Sequence, residues 1–327
     1  MPQHIVVTGG AGFIGRAVVE RLVARGDRVT ALVRDPAKAA HLGPSVELVR
    51  SDLRDTASLT GALRGADAVI HGAGQYRIGV PPSERPAMWD ANVGATERVL
   101  DAAIAAGVPR IVYLSTVNVF GNTKGRIADE AYRRNLDDGF VSYYDETKFR
   151  AHEAAEARIA AGAPIVVVLP GTTYGPHDHS TAGDLIAQAH GGKLRYTALT
   201  TLGGAWVHVD DLADGIVAAV DRGRLGELYI LAGELRTLAQ AIEMAARIGG
   251  RRPPRLHIPT ALLRLTAPLN DRLGGLPSMP ASLADTIAAA DHVTYYASHA
   301  KAQRELGFTP RSLAEGIADT WGKSVAR

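Results

Sequence analysis

Directly after an apolar, β-branched run, Ile5–Thr8, come Gly9, Gly12 and Gly15, and Phe13–Arg25 then continues with helical period. This order constrains the chain more than any other feature. In a strand–turn–helix unit of this kind Gly9 permits a tight turn, Gly12 lets the backbone approach a pyrophosphate, and Gly15 lets helix and strand pack closely. The helix start adds unpaired N–H groups and the positive end of its dipole. Gly9, Gly12, Phe13, Ile14 and Gly15 are therefore candidate contacts for a dinucleotide.

The unit repeats. Further apolar runs fall at Arg28–Val33, Val46–Val49, Ala68–His71, Arg110–Ser115 and Ile165–Leu169, separated by helical patterns at Leu59–Leu63, Asn92–Ala106 and Asp145–Ala161. Continuous apolar strands joined by helices imply a parallel sheet covered on both faces. The expected fold class is α/β, a Rossmann-type doubly wound sheet with a smaller C-terminal substrate-binding lobe. Residues 1–170 form the expected dinucleotide-binding domain, to which 206–232 return as a strand and helix. Residues 171–205 and 233–327 form the expected lobe, with a helical tail punctuated by Gly274, Pro277 and Pro280. Asp210 or Asp211 is suited to capping the helix after Trp206.

Composition excludes several alternatives. There is no cysteine, which rules out disulfides and thiolate chemistry, and no run of Lys and Arg carries the net charge of +2. A nucleic-acid partner is not expected, and Arg251–Arg255 reads as a solvated turn. No apolar run is long enough to span a bilayer, and the first strand begins at once, so no membrane partner and a cytoplasmic location are expected. His177 and His179 have no third ligand nearby in sequence, so no metal is expected. His71 and His208 lie in apolar strand contexts that suit satisfied core histidines.

Two further positions bear on chemistry. An acidic residue at the end of the second strand would hold the ribose of NAD. Here Val33 stands at that place and Arg34 follows, and a guanidinium can pair with a 2′-phosphate. NADP(H) is thus the expected cofactor, with NAD(H) the alternative. Tyr144 and Lys148 lie four apart at the opening of a helix and so share a face. A phenol has a pKa of about 10, and a neighbouring ammonium with an oxidised nicotinamide ring would lower it. The pair could exchange a proton with a substrate oxygen while hydride moves to or from the cofactor. A hydroxyl from Ser115-Thr116, at the end of the preceding strand, could hold that oxygen.

Eight segments in order resemble the extended short-chain dehydrogenases/reductases, the NAD-dependent epimerase/dehydratase family. They are TGGAGFIG (8–15), SDLRD (51–55), IHGAG (70–74), Asn92, LSTVNVFG (114–121), YYDETK (143–148), LPGTTYGP (169–176) and WVHVDDLADG (206–215). The resemblance implies that Asp52 and Leu53 contact the adenine, that Ala73 and Gly74 line ribose and pyrophosphate, and that Asn92 supports the strand ends. It implies Thr116, counted back from Gly121, as the catalytic hydroxyl, with Tyr144 the acid/base. Lys148 would hold the nicotinamide ribose, and Pro170 and Thr173 would flank the ring. Members of this family often pair through the helices near Asn92–Ala106 and Asp145–Ala161, so a homodimer is an option.

The sequence departs from the sugar-nucleotide members at Gly204, where they usually carry a basic residue for the diphosphate. VRD after the second strand, VHVDDLADG and LYILAGE (228–234) look more like the dihydroflavonol-reductase-like branch. Reversible reduction of a ketone or aldehyde on a small, largely apolar molecule is the expected activity, a ketoreductase in type. An epimerase or dehydratase acting on a sugar is the alternative, and a non-catalytic NADP-sensing protein a further one. Tyr76, Arg77, Trp89 and Tyr174 are expected to shape the pocket or cover the sheet edge, and Trp206 to lie in the core.

Overall fold

The computed structural model describes residues 2–273 and 280–322; Gly274, Pro277 and residues 323–327 lie outside them. Seven strands pair in parallel: β1 (His4–Thr8), β2 (Arg28–Val33), β3 (Val46–Arg50), β4 (Ala68–His71), β5 (Ile111–Leu114), β6 (Ile165–Pro170) and the strand Leu228–Leu231. Their spatial order is Leu228–Leu231, β6, β5, β4, β1, β2, β3. The order of connection therefore reverses beside β1, and open parallel sheets receive ligands at the carboxyl ends of the strands at such a point. β1 and β4–β6 are almost wholly buried, as a sheet covered on both faces requires.

Helix starts follow local capping rather than the apolar period alone. Asp55 caps Thr56–Leu63, so that helix begins three residues before its first buried leucine. Ser142 caps Tyr143–Ala160 by accepting from the Asp145 N–H. The expected helix Asn92–Ala106 is instead a π-helical turn, Asp90–Gly94, running into the helix Ala95–Ala105.

A second, smaller sheet joins Glu234–Thr237, Gly203–His208 and Thr294–Tyr295, with Thr172–Tyr174 also paired to Gly203–His208. The strand at Trp206 thus belongs to this sheet, not to the seven-stranded one. The chain's return, expected from 206, is made by the helix Val209–Arg222 and the strand Leu228–Leu231. That helix packs on α1 (Phe13–Ala24), and Arg21 ties the two by pairing with Asp210 and Asp214. Trp206 and Tyr174 are buried together in the core under the second sheet. Of the two options for Tyr174, neither applies; its ring faces Trp206 and His208 rather than a cleft.

Asp210 and Asp211 do not cap Val209–Arg222. His208 does, its Nδ1 accepting from the Asp210 N–H, while the Asp211 carboxylate takes the Arg311 guanidinium at 2.8 Å. His71 is fully buried between Thr8 Oγ1 (2.7 Å) and Thr96 Oγ1 (3.2 Å), and burial holds its pKa down to about 3, so it stays neutral.

Candidate active site

The glycine loop closes the carboxyl end of β1. Gly9 adopts φ +75°, and a Cβ there would meet the Ala73 N at 2.6 Å and the Gly72 carbonyl oxygen at 2.7 Å. A Cβ on Gly15 would come within 2.1 Å of the Gly9 carbonyl oxygen. Glycine is therefore required at both, and Gly15 serves helix-to-loop contact rather than helix-to-strand contact. Gly12 caps α1 without a side-chain bond, so the first-turn N–H groups, from Phe13 onward, point outward with no intrahelical partner. The β4 loop that carries Ala73 and Gly74 lies directly against this turn. A bare helix start, backed by two glycine contacts with no room for side chains, fits a pyrophosphate.

Beyond β2, Arg34 is exposed, and no carboxylate lies within ion-pair distance of it among the described residues. Asp35 does not neutralise it. Its Oδ1 accepts from the Ala37 N–H at 3.1 Å and caps the turn Pro36–Leu42. Asp52, past β3, is held by the Arg54 guanidinium at 2.7 Å, which brings its pKa down to about 2. The Leu53 carbonyl oxygen accepts from Arg98 Nε at 2.7 Å, leaving its half-buried side chain against the core.

Asn92 sits buried in the π-turn. Its Oδ1 accepts from the Gln75 N–H (2.7 Å), and its Nδ2 donates to the Gln75 carbonyl (3.0 Å) and to Thr147 Oγ1 (2.9 Å). Thr147 in turn donates to the Tyr144 carbonyl at 2.9 Å. One amide thus ties the β4 loop to the helix that carries Tyr144 and Lys148. Gln75 and Thr147 were not legible as site residues, because their role depends on contacts with Asn92 that lie 17 and 55 residues away in sequence.

The two hydroxyls after β5 part company. Ser115 Oγ is 3.0 Å from His152 Nδ1, buried beneath the helix. Thr116 caps the turn Val117–Phe120 and donates to Asn118 Oδ1 at 3.1 Å, on the side of Tyr144. Tyr144 is buried, with the ring of the exposed Tyr76 edge-on at 4.9 Å between centroids. Lys148 Nζ donates to the Leu114 carbonyl at 3.3 Å and lies 5.5 Å from the centre of the Tyr113 ring.

The electrostatics differ from expectation. Burial drives the Tyr144 phenol above its ordinary value, Tyr76, Tyr113 and Asp145 add to the rise, and the Thr116 hydroxyl opposes it. The protein's own groups therefore do not make this phenol acidic. Lys148 is itself buried, and desolvation brings its pKa down to about 8, so its charge is weakly held. Pro170 ends β6 buried beside Leu231, and Thr173 Oγ1 donates to the Gly171 carbonyl at 3.1 Å.

Sequence reasoning also missed a buried ion pair one residue past the tyrosine. Arg134 and Asp145, with side chains 4% and 0% exposed, pair at 2.9 Å. Asp145 also accepts from the Val141 N–H, and Arg134 donates to the Gly139 carbonyl. Among the described residues no group of three His, Asp or Glu is placed to hold a metal. Asp178 accepts from the Ser180 N–H between the two histidines that flank it.

Comparison with known proteins agrees with this architecture. Residues 5–232 match the model of the NAD dependent epimerase/dehydratase family. A dihydroflavonol 4-reductase-like protein of Synechocystis is 30% identical over 98% of this chain and 94% of its own length. Cinnamoyl-CoA reductase 1 of Oryza sativa subsp. japonica is 29% identical over 77% of each. The crystal structure of DesIV, a dTDP-glucose 4,6-dehydratase from Streptomyces venezuelae with NAD bound, superposes with a TM-score of 0.77 at 25% identity, covering 97% of this chain and 95% of that one. With its Rossmann-type sheet and matching family model, the chain belongs to the NAD-dependent epimerase/dehydratase family of extended short-chain dehydrogenases/reductases, and is an oxidoreductase of that type.

Proposed function

We propose that this enzyme uses NADP(H) to interconvert a ketone or aldehyde and an alcohol on a small, largely apolar molecule. The observation that carries this reading is the wall beside Tyr144. Ile78, Val80, Met88 and Tyr143 cluster with the tyrosine ring. The guanidiniums on the same stretch are already paired, Arg77 with Glu84 and Arg85 with Asp285. An apolar wall with its cations neutralised favours an uncharged substrate over a diphosphate.

When bound, the nicotinamide cofactor supplies or accepts the hydride. Gly9, Gly12, Phe13, Ile14 and Gly15 would hold its pyrophosphate, Asp52 and Leu53 its adenine, and Arg34 its 2′-phosphate. Ala73, Gly74 and Asn92 would border the ribose, and Pro170 and Thr173 the nicotinamide. Thr116 orients the substrate oxygen, and the proton passes at Tyr144 Oη. The Lys148 ammonium, anchored at the Leu114 carbonyl, would hold the nicotinamide ribose and favour the phenolate. Because burial alone opposes that phenolate, the lowering needed for turnover must come from positive charge gathered at the site.

The epimerase or dehydratase reading is second, and one feature favours it besides the likeness to DesIV. Arg236 lies directly across the ladder from Gly204, close to the position where sugar-nucleotide members carry their basic residue. Its charge is taken by Glu234 at 2.5 Å, which ranks this reading below the first.

The test is Tyr144→Phe with a cofactor-consumption screen of ketones, aldehydes and secondary alcohols. Turnover should fall by about 10²–10⁴, as for loss of a general acid/base, with NADPH affinity near wild type. Unchanged rates would refute the assignment of Tyr144. Purified protein that retains NAD(H) and consumes no cofactor would establish the second reading.

A further inference from the structure

The helix Thr260–Arg272 carries two apolar faces. Leu263 and Ala267 point inward onto Leu283 and Ile287. Leu262, Leu265, Leu269 and Leu273, spaced by three and four, form a stripe on another side and are 53%, 79%, 59% and 59% exposed. A row of four bared leucines is an interaction surface rather than ordinary scatter.

The charge along this segment is one-sided. Residues 251–272 contain five arginines and one carboxylate, Asp271, in a chain whose net charge is +2. Asp271 is turned inward, accepting from the Leu283 and Ala284 N–H groups. Arg264 pairs with Asp291, whereas Arg251, Arg252, Arg255 and Arg272 are exposed with no carboxylate in ion-pair range among the described residues. Leu256 pairs with Tyr196 across a two-stranded ribbon, which sets Arg255 beside Arg195, and Arg251 packs against Gly192 next to Lys193. Leu256 and Tyr196 are themselves more than half exposed.

We propose that this leucine face and arginine cluster dock the protein on an anionic lipid surface, with the helix lying in the interfacial plane. Exposed leucines along a helix, with unpaired arginines at its end and on the segment leading into it, suit an interfacial segment. Each exposed arginine near such a surface adds attraction to anionic headgroups. A second copy of the chain fits less well, because it would bring two arginine-rich segments together, a like-charge cost that an anionic surface does not carry. The leucine stripe also offers no side-chain donor or acceptor, whereas protein interfaces carry about one hydrogen bond per 100–200 Å². Among the described residues no helix is long and apolar enough to cross a membrane. The expectation of no membrane partner rested on that length, which a surface helix does not need.

The placement has a use. The leucine helix packs on Leu283–Ala290, whose start lies against Gly79 and whose Asp285 pairs with Arg85. Those residues belong to the wall beside Tyr144, one layer from the proposed lipid face. Vesicle binding does not depend on the reaction catalysed at Tyr144.

The experiment is co-sedimentation of the full chain with vesicles of phosphatidylcholine alone or mixed with phosphatidylglycerol. The wild type should sediment with the mixed vesicles and release in high salt. Leu265→Glu with Leu269→Glu should lower partitioning by roughly 100-fold or more. Arg251→Gln, Arg252→Gln and Arg255→Gln together should lower it by about 100-fold, on the anionic vesicles only. Unchanged circular dichroism and thermal midpoints establish that the variants fold. The proposal is overturned if the wild type does not sediment, if the leucine variant sediments equally, or if the leucine variant only converts a wild-type dimer to monomer.

Discussion

Lys148 is buried, so folding must strip its ammonium of water. Its ordinary pKa of 10.5 falls to about 8 on burial. In the range between these values the unfolded chain binds a proton at this position and the folded chain does not. Stability must therefore rise with pH through that range, and the stability Lys148 permits at high pH is progressively lost as pH falls towards 8. The full shift corresponds to about 3 kcal/mol, using about 1.4 kcal/mol per unit. Lys148→Met keeps the stem and deletes the titration. Urea unfolding of both proteins without cofactor, from about pH 7 to about pH 9.5, should show the wild type gaining about 2 kcal/mol relative to the variant. At neutral pH the variant should be as stable as the wild type or more so, because no ammonium need be desolvated. Turnover should be lost at every pH. A wild-type-minus-variant difference that stays flat over this range would show that the ammonium is solvated, and the argument from desolvation would fail.

Arg34→Ala should weaken NADPH binding by roughly 10- to 100-fold, as for one charge-assisted contact, and leave NADH binding nearly unchanged. Isothermal titration with both cofactors decides this, and equal losses would return the enzyme to NAD. Arg134→Met strips Asp145 of its buried partner and should cost about 3–5 kcal/mol in chemical denaturation. A loss under about 1 kcal/mol would mean the pair is hydrated, as surface pairs are.

The parts of the fold set by local period were legible in the sequence, and those set by distant partners were not. Ala68–His71 was readable as a strand because both faces of the sheet are covered there, whereas Val46–Val49, at the sheet edge and interrupted by the solvent-facing Glu47, was readable from its β-branched residues alone. The seven-stranded sheet and its family could be read from spaced motifs. Trp206 was placed in the core correctly but in the wrong sheet, since an apolar strand does not announce its neighbour. At Val209–Arg222 acidic residues stood where caps are common, yet the cap is the His208 imidazole, and both carboxylates serve arginines far away in sequence. The spacing of Tyr144 and Lys148 was visible, but not the sign of the tyrosine's shift. That sign depends on burial and on Tyr76 and Tyr113, which approach only once the chain is folded. The Arg134–Asp145 pair was invisible for the same reason.

The bridging amide of Asn92 has a consequence for how ligands are received. By joining the Gln75 backbone to Thr147, it fixes the span between the loop bearing Tyr76 and the helix bearing Tyr144 as soon as the chain folds. The freedom of that loop is surrendered during folding, when a large apolar core offsets the loss, and not during each encounter with a substrate. A catalytic frame prepared in this way costs little to organise at every cycle, and affinity can be devoted to telling one substrate from another.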